Sequence, residues 1–487
     1  MPDYKSLVKD TAIYGVSSIV GRFLNYLLVP IHTGQITAAS GGYGVITNMY
    51  SWTALLLIIL TFGMETTFFY YARRREDAAD RVFSTAFLFV TMLSALFLVL
   101  VFTFLSPIAD FFKYADHPQY VWVMAVVVSL DAVTAVPFTY LRQQKKAIRF
   151  ATLKMVNILL SITLTLIYYK GLDGHDPGYA FYINLVCSAV VALLVYKEIS
   201  VVAHHGFDWR LCREMLGYTW PIVIFGIAGI LNQVADKILF PFVYTGDDMR
   251  QQLGIYGAVV KIAMIMAMVQ QAFKYAYEPH VFNIADSRES DRTQAGTMKY
   301  YIIFMLLGFL FVVAWLDVLK VTFIHDPDYY VGIDVVPVVM AAELMMGIYT
   351  NLSFWYKLEN KTIWGAVFSI PGCLVLVVIN VLLVPKIGYW ACAWGGFAGY
   401  FTSMTLSYFV GRHYHPIAYP LRDIGLYVML AAVAFAAMMW VRASLPMGTA
   451  VAVNSLFVAA FIAVIIRRDL PLSSLPVIGK YFRRKAS

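Results

Sequence analysis

Apolar residues in this chain do not alternate with polar ones; they run in blocks of about twenty or more residues, separated by short polar links. The blocks cover approximately residues 11–35, 42–71, 82–107, 119–140, 150–169, 178–203, 217–244, 253–281, 297–321, 331–355, 362–384, 389–411, 421–441 and 447–466. A hydrocarbon layer is about 30 Å thick and a helix rises about 1.5 Å per residue, so most blocks predict a helix that crosses a bilayer. The longer ones must tilt or run on into amphipathic ends. The pattern therefore predicts an all-α polytopic membrane protein with about fourteen transmembrane helices.

Composition sharpens this reading. The 487 residues are 60% hydrophobic and 14% charged and include 34 Phe, 33 Tyr and 10 Trp, a profile that excludes a soluble enzyme and fits aromatic belts at a membrane interface. The first block is too long for a signal-peptide core and lacks a small-x-small cleavage site, so it reads as a retained span. Cys187, Cys373 and Cys392 fall in spans and Cys212 in a loop, with no metal-like spacing and no evident disulfide pairing.

Charge orients the chain. With the N-terminus cytoplasmic, the inner segments hold 26 of the 37 Lys and Arg, and the outer loops only Lys113, Lys170, Arg250, Lys320, Lys386 and Arg442. Both termini are then inside and the number of spans is even. The net charge of +8 follows from topology and gives no ground for nucleic-acid binding. The basic run 141–150 reads as a positive-inside loop or an amphipathic elbow at the anionic surface, and Arg483-Arg484-Lys485 likewise.

The sequence also repeats itself. Asn25 to Pro30, Thr33-Gly34 and Gly42-Tyr43-Gly44-Val45 parallel Asp236 to Pro241, Thr245-Gly246 and Ile255-Tyr256-Gly257-Ala258. Gln144 to Ile148 parallels Glu359 to Ile363, and Gly178-Tyr179 parallels Gly388-Tyr389. Matches in the same order at a nearly constant offset predict two parallel six-helix lobes, 1–210 and 211–416, related by an axis along the membrane normal. Two extra helices and a basic tail, 417–487, remain as an appendage. Two such lobes imply a central cavity that opens alternately to either side.

Five cations fall inside predicted spans: Arg22, Lys154, Lys237, Lys261 and Lys274. A charge in hydrocarbon is expensive and marks either a substrate path or a structural ion pair. Lys154 reads as an anchor snorkelling from the inner end of its helix. Lys274 either pairs with Glu278 one turn on or contacts substrate. Arg22 and Lys261 have no acid three or four positions away, which favours a functional role. The acids Glu65, Asp131, Asp236 and Glu343 also lie in spans. They are candidates for binding a coupling proton or sodium ion, with Glu65 alternatively neutralising Arg22, and Asp131 and Glu343 alternatively packing the lobes together. Asp236 and Lys237 are neighbours that leave a helix in different directions, so they are not expected to satisfy one another.

At this point the residues carry a resemblance. Tyr14-Gly15, Arg22-Phe23-Leu24, Pro30, Gly42-Tyr43-Gly44-Val45 and Gly63-Met64-Glu65 resemble the opening of the bacterial polysaccharide and oligosaccharide-lipid flippases, within the multidrug/oligosaccharidyl-lipid/polysaccharide exporter superfamily. Asp236-Lys237, Leu253-Gly254-Ile255-Tyr256, Pro279, Lys357 to Thr362 and Asn380 to Tyr389 extend the likeness to about residue 466. Trp390-Ala391-Cys392-Ala393 is bulkier at its start than that pattern.

The resemblance implies a flippase that carries an undecaprenyl-diphosphate-linked oligosaccharide from the inner to the outer leaflet of a bacterial inner membrane. It needs no cofactor beyond a proton or sodium gradient, and a glycan polymerase and glycosyltransferases are candidate partners. Arg22, Lys237, Lys261 and Lys274 would then hold the pyrophosphate, with Glu65, Asp236, Asp131 and Glu278 in ion-coupling or charge-pairing roles. A multidrug exporter of the same superfamily is the alternative, and its cavity should be acidic instead. A membrane glycan polymerase or ligase is disfavoured, because the longest outer loop, 108–118, is too short to build a catalytic site. No G-x-x-x-x-G-K-[ST] motif is present, so the chain does not hydrolyse ATP directly.

Overall fold

The computed structural model describes residues 26–75, 78–283, 289–358, 361 and 363–469. Within them the chain is helical, in the order α1 (Leu28–Gln35), α2 (Gly42–Thr61), α3 (Met64–Arg74), α4 (Ala79–Thr103), α5 (Leu105–Phe111), α6 (Pro118–Gln143), α7 (Ala147–Leu166), α8 (Gly178–Leu194) and α9 (Trp209–Val243). There follow α10 (Met249–Asn283), α11 (Glu289–Ala314), α12 (Leu316–Phe323), α13 (Val336–Leu352), α14 (Ile363–Ile387), α15 (Tyr389–Tyr414), α16 (Leu421–Ser444) and α17 (Met447–Arg468), with short helical turns between them. Strands are absent from the described residues, as hydrocarbon requires of a chain that does not close a barrel.

Eleven membrane-length apolar helices occur among the described residues, and α8, at 17 residues, is a shorter apolar one. The first predicted span falls largely outside the described residues, and α15, rich in Gly, Ser, Thr and Tyr, is not among the eleven. The expected fourteen is therefore not reached here.

Three boundaries depart from the apolar blocks, each for a local reason. The second block is interrupted where Phe62 (φ 48°) and Gly63 (φ 64°) adopt the left-handed conformation, which ends α2 and restarts the helix at Met64. The 108–118 segment is partly helical, because α5 runs to Phe111. Helix α9 starts at Trp209, well before the apolar block near 217, because the Asp208 carboxylate caps it by accepting the Leu211 amide at 3.1 Å.

The chain forms two compact units. The first takes its described residues from Met1–Lys261, Ile324–Val335 and Thr362–Ser403, and the second from Ile262–Phe323, Val336–Lys361 and Met404–Ser487. Inside the first, α9 packs against α14 and α2, and α6 against α4, α8 and α2. Asn232 of α9 stitches one of these contacts, donating to the Ser369 carbonyl of α14 at 3.0 Å. Inside the second, α11 packs against α13, α16 and α17. Ion pairs pin the α16–α17 hairpin near both ends. Lys299 of α11 bonds Asp423 at 3.0 Å and also Asp469, while Arg442 of α16 bonds Asp317 of α12 at 2.9 Å.

Lipid is as apolar as a leucine side chain, so helices associate in membranes through close van der Waals contact and hydrogen bonds rather than through hydrophobic burial. The closest approach in the first unit lies between the start of α2 and the start of α10. A Cβ on Gly44 would stand 1.9 Å from the Arg250 carbonyl oxygen, and one on Gly257 would stand 2.1 Å from the Thr47 hydroxyl. Gly44 also meets the Gly254 amide, so the contacts lie in and beside Gly42 to Val45 and Ile255 to Ala258, the segments that the sequence repeat matches to each other. Small residues there let two backbones touch.

Gly44→Ala should therefore lower stability by about 1–3 kcal/mol, the usual range for forcing a methyl into a filled contact, read as a lower thermal midpoint in detergent. Gly448→Ala, where a Cβ meets nothing within 4 Å, is the matched control. Equal midpoints for the two variants would rule out Gly44 as the packing contact.

Candidate functional site

The polar groups of the first unit converge beside that glycine contact. On α9, Asp236 and Lys237 form an ion pair in which the ammonium lies 2.9 Å from both carboxylate oxygens. The Lys237 side chain is 17% exposed and that of Asp236 only 7%. This pairing, not expected of sequence neighbours on a helix, is present in the structure. Neighbouring side chains do leave a helix about 100° apart, but the four-carbon stem of Lys237 folds back along the helix. Its ammonium also donates to the Gln233 carbonyl one turn earlier, at 3.2 Å.

Partners arrive from three other elements. Tyr256 of α10 donates its hydroxyl to the second Asp236 oxygen at 2.7 Å, and the Lys237 ammonium stands 5.4 Å from the centre of the Tyr256 ring. Asn48 of α2 is 1% exposed and donates to the Lys237 carbonyl at 2.8 Å. Its own side-chain oxygen accepts from Tyr114 at 3.0 Å. From α15, the Cys392 thiol lies 3.9 Å from the Asp236 carbonyl, and the small run Ala391-Cys392-Ala393 packs fully buried after the half-buried Trp390.

Lys261, one and a half turns beyond Tyr256 on α10, is half-buried and within electrostatic reach of both Lys237 and His32. No carboxylate among the described residues pairs with it. His32 is 8% exposed, stands edge-on to Tyr169 at 5.0 Å between ring centres, and leaves Nε2 without a hydrogen-bond partner among the described residues. The result is a patch with two lysines, one carboxylate and a buried imidazole, set among Tyr, Asn and Gln groups.

Of the remaining expected site residues, Arg22 lies outside the described residues, as do the side chains of Lys274 and Glu278 on α10. Glu65 is not the deep acid that its place in an apolar block suggested: its side chain is 42% exposed, 3.7 Å from Arg142, and it accepts from Thr139 at 3.2 Å. The break at Phe62-Gly63 sets Glu65 in the first turn of a new helix, which brings it beside those α6 partners. Asp131 of α6 is half-buried and accepts from Ser188 of α8 at 2.7 Å. Glu343 is half-buried on α13 of the second unit. Lys154 is exposed, its ammonium 4.2 Å from the Phe138 ring centre.

Tyr256, Asn48, Tyr114 and His32 were not singled out from sequence. Tyr256 had been noticed only as part of the repeat. A lone Asn or His in an apolar block was the available signal, since hydrocarbon tolerates such groups only where a partner meets them.

A second set of contacts ties elements of the first unit together at one end. Arg250 grips Asp116 with two nitrogens at 2.7 and 2.9 Å and donates to the Lys113 carbonyl at 3.0 Å. The Tyr329 hydroxyl donates to the Ile36 carbonyl at 2.7 Å, and Asp326 accepts the Ala38 amide at 2.8 Å. Arg250 also holds the Asp116 carboxyl below its usual range, chiefly through these hydrogen bonds.

A bundle of membrane-length apolar helices with a charged polar cluster inside its packed core is a multi-pass membrane protein. A family model described as polysaccharide biosynthesis protein matches residues 40–324, more than half of the chain, and the chain belongs to that family. No curated protein sequence matches it. Among solved structures it is similar to the lipid II flippase MurJ in an inward closed conformation, at 12% identity, TM-score 0.72, and 93% of this chain against 98% of that one. It is similar also to the inward-facing conformation of a multidrug resistance MATE family transporter of the MOP superfamily, at 11% identity, TM-score 0.66, and 81% against 94%. A third, a MOP superfamily transporter from Pyrococcus furiosus described as having a binding pocket of reverse polarity, aligns at 14% identity, TM-score 0.52, and 83% against 95%. At such identities the likeness is one of fold alone.

The Arg250–Asp116 pair has a predictable pH signature. Asp116 is about half exposed, so solvent screening limits the pair to about 1 kcal/mol or less. A carboxyl held low in the folded state contributes stability that is present above its unfolded pKa, about 4, and is lost as the pH falls through its folded value. Arg250→Ala should lower the thermal midpoint slightly near pH 7, and the difference from the unaltered protein should shrink as the pH falls below about 4 and Asp116 becomes protonated. A gap that persists undiminished at the acid end would exclude Asp116 as the partner that matters.

Proposed function

We propose that the protein flips an undecaprenyl-diphosphate-linked oligosaccharide from the inner to the outer leaflet of a bacterial cytoplasmic membrane, for the synthesis of a surface polysaccharide. The observation that carries this reading is Lys261 inside the helical core: a cation within electrostatic reach of the Lys237–Asp236 pair and with no carboxylate partner of its own among the described residues. Asp236 neutralises Lys237, so the three groups carry one net positive charge, and a cation without a counter-ion in a medium of low dielectric is stabilised by an anion. A diphosphate concentrates negative charge that hydrocarbon rejects, and Lys ammoniums meet its oxygens as point charges. Membership of a polysaccharide biosynthesis family supports a glycan cargo. The fold shared with a protein described as a lipid II flippase supports a lipid-linked one.

In this reading Arg22 and Lys274 complete the site, both termini are cytoplasmic, and the Arg250–Asp116 and Tyr329–Ile36 ties lie at the outer face. Opening outward then requires those ties to break, and their re-forming closes the outer face in an alternating-access cycle. A proton or sodium gradient supplies the driving force. A multidrug exporter would select amphipathic cations, which the net positive charge of this site repels.

Lys261→Ala should abolish glycan export in a complementation assay while the amount of protein in the membrane stays near normal, because the loss of one charge-assisted contact costs on the order of 1.5–3 kcal/mol of binding. Arg22→Ala should behave alike, Lys261→Arg should keep part of the activity, and Lys154→Ala should be nearly silent. Full export by Lys261→Ala would sink the cationic site.

A further inference from the structure

We infer that Asp236 is an internal stand-in for the substrate's phosphate: it holds the Lys237 ammonium while the site is empty, yields it when the anionic headgroup binds, and reclaims it to drive release. This rests on the function proposed above and assigns within it the residue that sets affinity.

Three observations converge on it. The Lys237 ammonium sits 2.9 Å from both Asp236 oxygens, so the geometry that a phosphate would take up is already occupied. Asp236 has other support. It accepts from the Tyr256 hydroxyl at 2.7 Å and from the Lys237 backbone amide at 2.9 Å, neither of which need move when the ammonium swings away. The mobile partner is the lysine: its long stem reaches the carboxylate only by folding back, and extending it carries the charge off the pair. Lys261, within electrostatic reach of Lys237, then gives an incoming anion a second cation with no internal counter-ion among the described residues.

The functional logic follows from differential binding. A bare pair of lysines would hold a diphosphate too firmly to let it go, whereas a carboxylate competing for one of them weakens the loaded state without touching the cargo. Site affinity is thus the difference between two ion pairs, Lys237 with phosphate and Lys237 with Asp236. One of the two always exists, so the lysine is never left uncompensated in the core. Asp236 is a positioning residue here, since it acts on the substrate only through Lys237.

The test uses the full chain in nanodiscs with undecaprenyl diphosphate as the probe, binding and dissociation being followed by calorimetry and by chase with unlabelled lipid. Asp236→Asn keeps the shape and the Tyr256 bond while removing the competing charge. It should bind the probe on the order of ten- to a hundredfold more tightly, release it correspondingly more slowly, and export less glycan in cells. Lys237→Ala should cancel most of the Asp236→Asn gain in the double variant. As an independent variant, Tyr256→Phe leaves Asp236 leaning wholly on Lys237, and should weaken probe binding several-fold. If the unaltered protein and Lys261→Ala bind the probe equally, the proposed function itself fails. If Lys261→Ala loses binding but Asp236→Asn gains none, or if its gain survives in the Lys237→Ala background, the flippase reading stands and the stand-in role of Asp236 is overturned.

Discussion

The backbone contact between the starts of α2 and α10 is the constraint on which the rest of the polar core depends. Gly44 lies so near the Arg250 carbonyl that any side chain is excluded, and Gly254 and Gly257 keep α10 equally bare on its facing side. Register follows from that contact. Asn48 stands one turn after Gly44 and is thereby brought to the Lys237 carbonyl, while Tyr256, between the two glycines of α10, is brought to Asp236. Widening the contact by one methyl would move two of the hydrogen-bond partners of the α9 pair together, so packing and electrostatics are coupled at this place rather than independent.

The second unit uses charge differently. There Lys299, Asp423, Asp469, Arg468, Asp317 and Arg442 close on one another in short ion pairs near the ends of the helices. Every cation in that group has a carboxylate within reach, so the network is spent on holding α11, α12, α16 and α17 together. The first unit leaves Lys261 without one. The contrast separates an ion cluster that fastens helices from one that can accept an anion, although the residue types are the same.

Much of this was legible in the sequence because hydrocarbon permits so few backbone solutions. Long apolar blocks had to be helices, the repeat pointed at the glycine-bearing starts of α2 and α10, and a charge inside a span marked Asp236, Lys237 and Lys261. What the sequence concealed was local. The left-handed turn at Phe62-Gly63 moved Glu65 from an apparently deep position to the partly exposed first turn of a new helix, and nothing in the hydropathy of that block signals the break. The partners of the α9 pair come from position 48, 189 residues away along the chain, and from position 256 on the next helix, and only the placing of α2 and α10 beside α9 makes them neighbours. The pairing of Asp236 with Lys237 was misjudged because helix periodicity describes where Cβ atoms point, while a lysine places its charge about 6 Å beyond its Cα along a stem free to bend.

That misjudgement changes how the site must be interrogated. Removing either member of a buried ion pair strands the other, and a stranded charge costs about 3–5 kcal/mol, more than a lost substrate contact would. A truncation at Lys237 therefore mixes two effects of similar sign: a carboxylate left without its cation, and a phosphate left without a ligand. Lys261 lacks this ambiguity, since no described carboxylate depends on it, and its removal also relieves repulsion with Lys237. A loss of transport at Lys261 without loss of protein is then attributable to the cargo, because the folded state has, if anything, been relaxed. The charge that contributes least to holding the helices together is the one whose loss speaks most directly about what the protein carries.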